Sequence, residues 1–589
     1  MEWQGWISLG LTLAALLVLI FSRIGPHLVM MAVLTLLSVL GILDAREALA
    51  GFSNSGVITV AAMFVVAAGI HASGGVDLLV HHVLGRPKST RAALLRVAAP
   101  VIALSGFLNN TPLVATMIPA VNSWASKIGV APSKLMIPLS YASILGGTLT
   151  MIGTSTNLVV NGQYQLLTGG EGFSLFSITL IGLPVAIFGF AFMYLLFPRL
   201  LPDRSEKAFG NLREFTLEVA VANNGPLVGK TINEAGLRNL KRVYLVEIER
   251  GGSVVTAVPS QERLQGGDRL VFAGDTRAIS DLLRINGIVP SAENDGSSAL
   301  TTSRAERRLV EAVVSSHCDA VGQAIRDARF RDRYGAVVLA VARHGERVQG
   351  NLGTIKLQVG DTLLLEARPA FVSRQRFNKD FLLINDLEAE TPRHERAYLA
   401  WGILLVMVAA AGLNVLSMLN ASLIAAGLMI ASGCCSLNQA EKSLDLRVLI
   451  TIAASFSLGA ALAKTGVAAY LAETLVQLSG GHPWLLLILA YVAVSALTEV
   501  ITNNAAALLM LPIVLEMAHK GGLNPEPFVF AVMIGASASF ATPLGYQTNL
   551  MVYGPGGYRF TDFLRVGLPM NFLVGVVCLT TLYIGWNLK

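Results

Sequence analysis

Of 589 residues, 53% are hydrophobic and only 14% are charged, with a mean hydropathy of +0.60. That balance excludes an ordinary soluble enzyme and leaves an integral membrane protein. The net charge of +6 fits Lys and Arg gathered in cytoplasmic loops, so no nucleic-acid partner is expected.

The start, Met1-Glu2-Trp3-Gln4-Gly5-Trp6, lacks a basic signal region and a small-residue cleavage site, and reads as the opening of a first transmembrane helix. Spans of about 20 apolar residues, enough to cross the hydrocarbon, are predicted at 5–22, 26–43, 56–72, 135–160 and 175–198. A Pro- and Asn-interrupted apolar stretch at about 92–125 reads as a re-entrant hairpin. His71, His81, His82 and Arg86 read as an interfacial, snorkelling segment with no metal role. The first transmembrane repeat is thus 1–200.

The next 190 or so residues are charged, alternate in hydrophobicity and contain no span-length apolar run. They divide into modules at 210–295 and 300–388. Val228-Gly229-x2-Ile232-x2-Ala235 recurs as Val321-Gly322-x2-Ile325-x2-Ala328, and Leu264-Gln265-x-Gly267-Asp268 recurs as Leu357-Gln358-x-Gly360-Asp361, both at an offset of 93. Two tandem copies of one small α/β module follow. Runs at Val243–Glu249 and Ala336–Ala342 read as strands, with Gly-Asp marking a turn before another.

A second repeat, 396–589, has spans predicted at 397–415, 417–433, 447–466, 526–553 and 563–586 and a hairpin at about 482–519. Five crossings plus a hairpin, twice, force opposite orientations on the halves. With the insert cytoplasmic and both termini outside, the inner loops of the first half carry six basic residues against one outside. The second half carries six against three. The expected fold is therefore a polytopic α-helical membrane protein of two inverted repeats with a cytoplasmic α/β insert. The four cysteines, Cys318, Cys434, Cys435 and Cys578, lack C-x-x-C spacing and read as apolar fillers.

The chemistry lies in polar residues repeated inside apolar sequence. Ser105-Gly-Phe-Leu-Asn109-Asn110-Thr111 is echoed by Thr498-Glu-Val-Ile-Thr502-Asn503-Asn504. Thr150-x2-Gly153-x2-Thr156-Asn157 is echoed by Thr542-x2-Gly545-x2-Thr548-Asn549. An amide or hydroxyl left without a partner in lipid costs roughly 2–7 kcal/mol, so two copies at one spacing point to binding. The alternative, polar glue between helices, does not account for the pairing of motifs.

Inverted repeats with Gly- and Pro-broken segments at matching places are the signature of a secondary transporter with a midplane site. A broken helix frees carbonyls that suit sodium and N-termini that suit an anion. Substrate contacts are expected from Asn109, Asn110, Thr111, Thr154, Ser155, Thr502, Asn503, Asn504, Thr542 and Gly545. Glu499, an acidic residue within the second hairpin, is a candidate coupling group, or else a hydrogen bond tying the hairpin together.

These motifs resemble the divalent anion/sodium symporter family, whose members carry Ser-Asn-Thr at two hairpin tips and an Asn-ended break after each. The resemblance implies a homodimeric alternating-access carrier. It places one sodium near Ser105, Asn109, Asn110, Gly153 and Asn157, and another ion near Thr498, Asn503, Ala541, Pro543 and Asn549. The tips here read Asn109-Asn110-Thr111 and Thr502-Asn503-Asn504, and neither is Ser-Asn-Thr. That departure favours a compact oxyanion such as sulfate over a di- or tricarboxylate. The insert resembles paired TrkA-C (RCK-C) modules, which implies a regulatory role and an unidentified small ligand.

The glycines of the insert form neither G-x-G-x-x-G nor G-x4-G-K-[ST], and no nucleophile–base pair is visible, so an enzyme is not expected. A channel or cation antiporter regulated through the insert is the competing class. No T-V-G-Y-G filter supports it. The expected home is the cell's inner (plasma) membrane.

Overall fold

The computed structural model describes residues 3–22, 24–76, 84–85, 87, 89–204, 216–237, 240, 243–250, 253–256, 258, 261–274, 282, 285–290, 308–315, 318–343, 346–348, 352–367, 371, 380–386, 396–543 and 545–586. His81, His82 and Arg86 lie outside them. The chain forms two compact units. One comprises Met1–Asp203, Pro392–Val552 and Arg559–Lys589, and the other Arg204–Thr391 with Tyr553–Tyr558.

The first half runs α1 (Trp3–Phe21), α2 (Pro26–Val39), α3 (Ala45–Leu49), α4 (Ser55–Ala72), α5 (Thr90–Ser105), α6 (Asn110–Ile128), α7 (Met136–Gly147), α8 (Ser155–Thr168) and α9 (Thr179–Leu200). Among the described residues the insert carries ten strands, β1 (Thr216–Val221), β2 (Val243–Arg250), β3 (Ser253–Thr256), β4 (Arg269–Gly274), β5 (Ile288–Pro290), β6 (Arg308–Val314), β7 (Ala336–Arg343), β8 (Glu346–Arg347), β9 (Thr362–Ala367) and β10 (Phe381–Asp386), with α10 (Phe330–Tyr334). The second half runs α11 (Ala397–Gly412), α12 (Met418–Ala431), α13 (Leu437–Ser443), α14 (Leu446–Lys464), α15 (Val467–Leu478), α16 (Pro483–Thr498), α17 (Asn503–Lys520), α18 (Pro525–Ser537), α19 (Gln547–Tyr553) and α20 (Phe560–Gly585).

Among the described residues, five helical runs are long and apolar enough to cross a membrane: Trp3–Phe21, Ala45–Ala72, Thr179–Leu200, Leu446–Lys464 and Phe560–Gly585. Each of the spans expected at 135–160 and 526–553 is two helices. Residues 148–154 separate α7 from α8, and residues 538–546 separate α18 from α19. The amphipathic α15, whose Glu473 pairs with Lys520 at 2.9 Å, has no counterpart in the expected spans, because its apolar run is too short to register as one.

The halves interleave. The second helix of each packs on the third membrane helix of the other, α2 on α14 and α12 on α4, while the final helices α9 and α20 pack on each other. Small residues permit the close approach. A Cβ on Gly69 of α4 would lie 2.9 Å from Met429 Cγ of α12.

In the insert, the sheets run β3-β2-β4-β1-β5 and β10-β6-β9-β7-β8, so the second has the topology of the first. Register repeats at the same offset of 93. Val219 faces Leu270 and Ala312 faces Leu363, and β2 and β7 bulge at matching places, between Leu245 and Glu247 and between Val338 and Ala340. Each sheet closes over its own core, Val219, Leu245, Leu270 and Phe272 in one and Val310, Val338, Leu363 and Leu365 in the other.

The repeated Gly-Asp explains itself here. Asp268 and Asp361 are buried, and each takes a two-pronged ion pair, from Arg250 at 2.8 Å and from Arg343 at 2.7 and 2.8 Å. Each also accepts a backbone N–H, from Gln265 and Gln358. The carboxylates hold both guanidiniums above their ordinary pKa. The four cysteines are unpaired and buried.

Candidate functional site

The hairpin α5–α6 turns at residues 106–109, and α16–α17 at 499–502. At the first turn, the Ser105 hydroxyl lies within hydrogen-bond distance of the Asn110 side-chain oxygen, and 2.8 Å from the Ser143 carbonyl on α7. At the second, the Thr498 hydroxyl stands 3.3 Å from Asn503 Oδ1 and 2.7 Å from the Ala536 carbonyl on α18. The Ser143 hydroxyl stands a further 3.2 Å from Ser105 Oγ; in each cluster a side-chain amide oxygen and a backbone carbonyl compete for the single hydrogen of Ser105 or Thr498. Ser105, Asn110 and Thr498 are almost wholly buried. A crowd of neutral hard oxygens without enough hydrogens is what an alkali cation relieves.

The breaks are built alike. The Asn157 amide donates to the Gly147 and Thr150 carbonyls at 3.3 and 3.0 Å. The Asn549 amide donates to Ser539 and Thr542 at 2.9 and 3.1 Å. Each asparagine thus replaces the helical donors lost where the helix stops. Glycine brings each break onto its hairpin: a Cβ on Gly153 would lie 2.9 Å from the Ser105 carbonyl, and one on Gly545 3.0 Å from that of Thr498.

The copies also differ. Asn549 Oδ1 accepts from Ser140 at 2.7 Å, whereas Asn157 Oδ1 is buried without a partner. In the second half alone a carboxylate steadies the break. Glu499 accepts the Ala541 and Thr542 N–H groups at 3.0 Å and the Asn571 amide at 2.7 Å. This is a hydrogen-bonding part, tying hairpin to break and to α20. The residue matching Glu499 in the first hairpin is Gly106.

Bonds across the halves bring the motifs together. Asn110 Nδ2 donates to the Tyr546 hydroxyl, which also lies 3.4 Å from Thr154 Oγ1. Thr111 donates to Gln547 Oε1 at 3.1 Å. Asn504 receives Thr156 at 3.1 Å and faces Ser155 at 3.3 Å. These pairs knit the N-termini of α6, α8 and α17 and the shorter α19 into one region. Helix N-termini carry unpaired N–H groups and a partial positive charge, which favours an anion without any Lys or Arg.

Asn109 caps α6 through the Thr111 N–H at 3.5 Å. Thr502 is exposed and makes no cap bond, and Ala541 and Pro543 are buried within the second break. Among the described residues no group of three His, Cys, Asp or Glu is placed to hold a metal ion. Sequence reasoning passed over Ser140, Ser143, Asn571 and Tyr546. The first three sit in unremarkable helices, but Tyr546 stood inside the repeated break, at a position where the two copies differ.

A family model described as citrate transporter matches residues 16–475 and 416–589. The chain belongs to this citrate transporter family. A Chlamydomonas reinhardtii protein provisionally named a sulfur deprivation response regulator is 37% identical over 92% of this chain and 95% of its own. An uncharacterized transporter of Synechocystis is 34% identical over 97% and 96%. Sodium/sulfate cotransporter 1 of C. reinhardtii is 27% identical over 98% of this chain and 89% of its own. This member of the citrate transporter family is accordingly a multi-pass membrane transporter and not an enzyme.

Proposed function

We propose that this transporter is a sodium-driven symporter of a small divalent oxyanion, sulfate above all, working by alternating access. The observation that carries the reading is the meeting of three helix N-termini, those of α6, α8 and α17, lined by Asn110, Thr111, Thr154, Ser155 and Asn504, with no fixed cation among the groups named there. Such a site suits a compact anion that must also leave. Asn109, Thr502, Asn503, Thr542 and Gly545 border it. The two donor-poor oxygen clusters, at Ser105–Asn110–Ser143 and Thr498–Asn503–Ala536, are assigned to sodium. The orphaned Asn157 Oδ1 serves as a further ligand of the first, with Gly153 shaping the backbone; Ala541 and Pro543 do so for the second. Asn549 spends both ends of its amide on protein partners and is assigned to holding its break. The sodium/sulfate names carried by relatives support both cargo and coupling.

Uptake of radiolabelled sulfate into proteoliposomes, with and without an inward sodium gradient, tests the reading. Absence of a sodium-dependent signal removes it. A second reading, a di- or tricarboxylate cargo, is favoured by the description of the family model, and competition by succinate and citrate in the same assay separates the two. A channel or antiporter would instead pass current without sulfate.

The matched hairpins and breaks support two inverted repeats, domains of 1–200 and 396–589, with re-entrant tips meeting at the midplane. The repeated sheets support TrkA-C-like modules at 210–295 and 300–388, on the cytoplasmic side of the inner (plasma) membrane, binding a small ligand. A homodimer is part of the same proposal.

A further inference from the structure

Within the paired breaks the two copies part in side-chain size. Between the shared Gly153/Gly545 and Thr156/Thr548, the first break reads Thr154-Ser155 and the second Tyr546-Gln547. A two-carbon hydroxyl side chain on one side of the site answers to a phenol on the other. Tyr546 is only 8% exposed, and its ring crosses from the second break to the first hairpin tip, where its oxygen accepts the Asn110 amide. The exposed Gln547 accepts the Thr111 hydroxyl. In the first break the side chains are short, and Ser155 and Thr156 reach Asn504.

The phenolic proton is poorly used. Asn110 Nδ2 can only donate, so the Tyr546 oxygen is the acceptor there. The phenol's own hydrogen has Thr154 Oγ1 at 3.4 Å, which is long for an O–H···O bond, whose usual length is near 2.7–2.8 Å. An oxyanion oxygen is a far better acceptor and would draw that hydrogen into a charge-assisted bond.

We propose that Tyr546 determines cargo specificity: its ring narrows the site to a compact tetrahedral oxyanion, and its hydroxyl donates to that anion. The inference rests on the sulfate-symport reading and names the residue that selects within it. The asymmetry is what makes it specific, since two threonine-like walls would leave room for a longer anion with a carboxylate toward each hairpin.

The test compares wild type, Tyr546→Phe and Tyr546→Thr, the last copying the first half. All are assayed in proteoliposomes for sodium-driven sulfate uptake and for inhibition by succinate. Tyr546→Phe keeps the ring and loses the donor. It should raise the sulfate KM at least about tenfold, the loss of one hydrogen bond to a charged group, with the maximal rate and succinate insensitivity little changed. Tyr546→Thr should lower the inhibition constant of succinate relative to the sulfate KM by about tenfold or more. Sodium-induced thermal stabilisation of each variant checks folding. Should Tyr546→Thr fail that check, Tyr546→Val, which removes the same ring and hydroxyl, takes its place and is held to the same expectation. Sulfate KM and succinate selectivity both within twofold of wild type in folded variants overturn the inference and leave the symport reading standing. Wild-type uptake of succinate in preference to sulfate, or no sodium-driven sulfate uptake at all, removes the symport reading and the inference with it.

Discussion

The two break asparagines look interchangeable in sequence, yet Asn157→Ala and Asn549→Ala should behave oppositely. Asn549 makes three bonds, to Ser539 and Thr542 at 2.9 and 3.1 Å and from Ser140 at 2.7 Å. At about 1 kcal/mol net per bond, its loss costs about 3 kcal/mol in the absence of sodium. Asn157 makes two, at 3.0 and 3.3 Å, so its removal costs about 2 kcal/mol or less. Its unpartnered oxygen, however, is the one free to meet a cation. At sodium one-hundred-fold above the dissociation constant, binding to the folded state contributes about 2.7 kcal/mol. Thermal unfolding of the purified full chain in sodium chloride and in choline chloride separates the two effects. Asn549→Ala should be the less stable variant in choline and keep a sodium-induced rise in Tm, whereas Asn157→Ala should lose most of that rise. A full sodium shift in Asn157→Ala, or equal stability of the two variants in choline, would refute the assignment.

Further outcomes follow from the same geometry. Asn110→Ala and Asn503→Ala each remove an acceptor from a donor-poor cluster, and should abolish sulfate uptake while the protein still elutes as a folded species; an unchanged apparent sodium affinity in either contradicts the assignment. Glu499→Gln replaces an oxygen that accepts a backbone N–H with a donor, leaving one N–H of the second break opposed at about 1–3 kcal/mol. Sodium-driven uptake should fall about tenfold, and a wild-type rate would show that the carboxylate does not hold the loop. Gly545→Ala sets a Cβ about 3.0 Å from the Thr498 carbonyl, whereas Gly402→Ala meets nothing within 4 Å; only the first should lose transport in the uptake assay. In the insert, Asp361→Ala strands Arg343 beside a carboxylate site that is 1% exposed. It should cost about 3–5 kcal/mol and hasten limited proteolysis. Asp327→Ala, whose partner Arg326 is 75% exposed, should change stability by less than about 1 kcal/mol.

Spacing made the polar residues legible, because an amide or hydroxyl repeated at one interval inside apolar sequence has few reasons to be there. The insert was legible for a similar cause: an offset of 93 between Gly-Asp pairs reappears as matched register and matched bulges in two sheets. Other partners left no such trace. Ser140 and Ser143 are the two serines of the apolar α7, and Asn571 is one of a few polar residues in the long apolar α20; each gains its meaning from a neighbour more than thirty residues away.

The sequence alone determined that this chain belongs in a membrane, that it repeats itself, and which side chains are too polar for lipid without partners. Those are properties of composition and local interval, and they survive without knowing what packs on what. Only the tertiary structure decided that the first tip meets the second break through Tyr546, that Ser140 occupies Asn549 while Asn157 keeps a free oxygen, and that Glu499 holds two backbone N–H groups. Hydrogen bonds are short and directional, so their pairing depends on how helices distant in the chain are brought to within about 3 Å of each other. No interval along the chain encodes that approach.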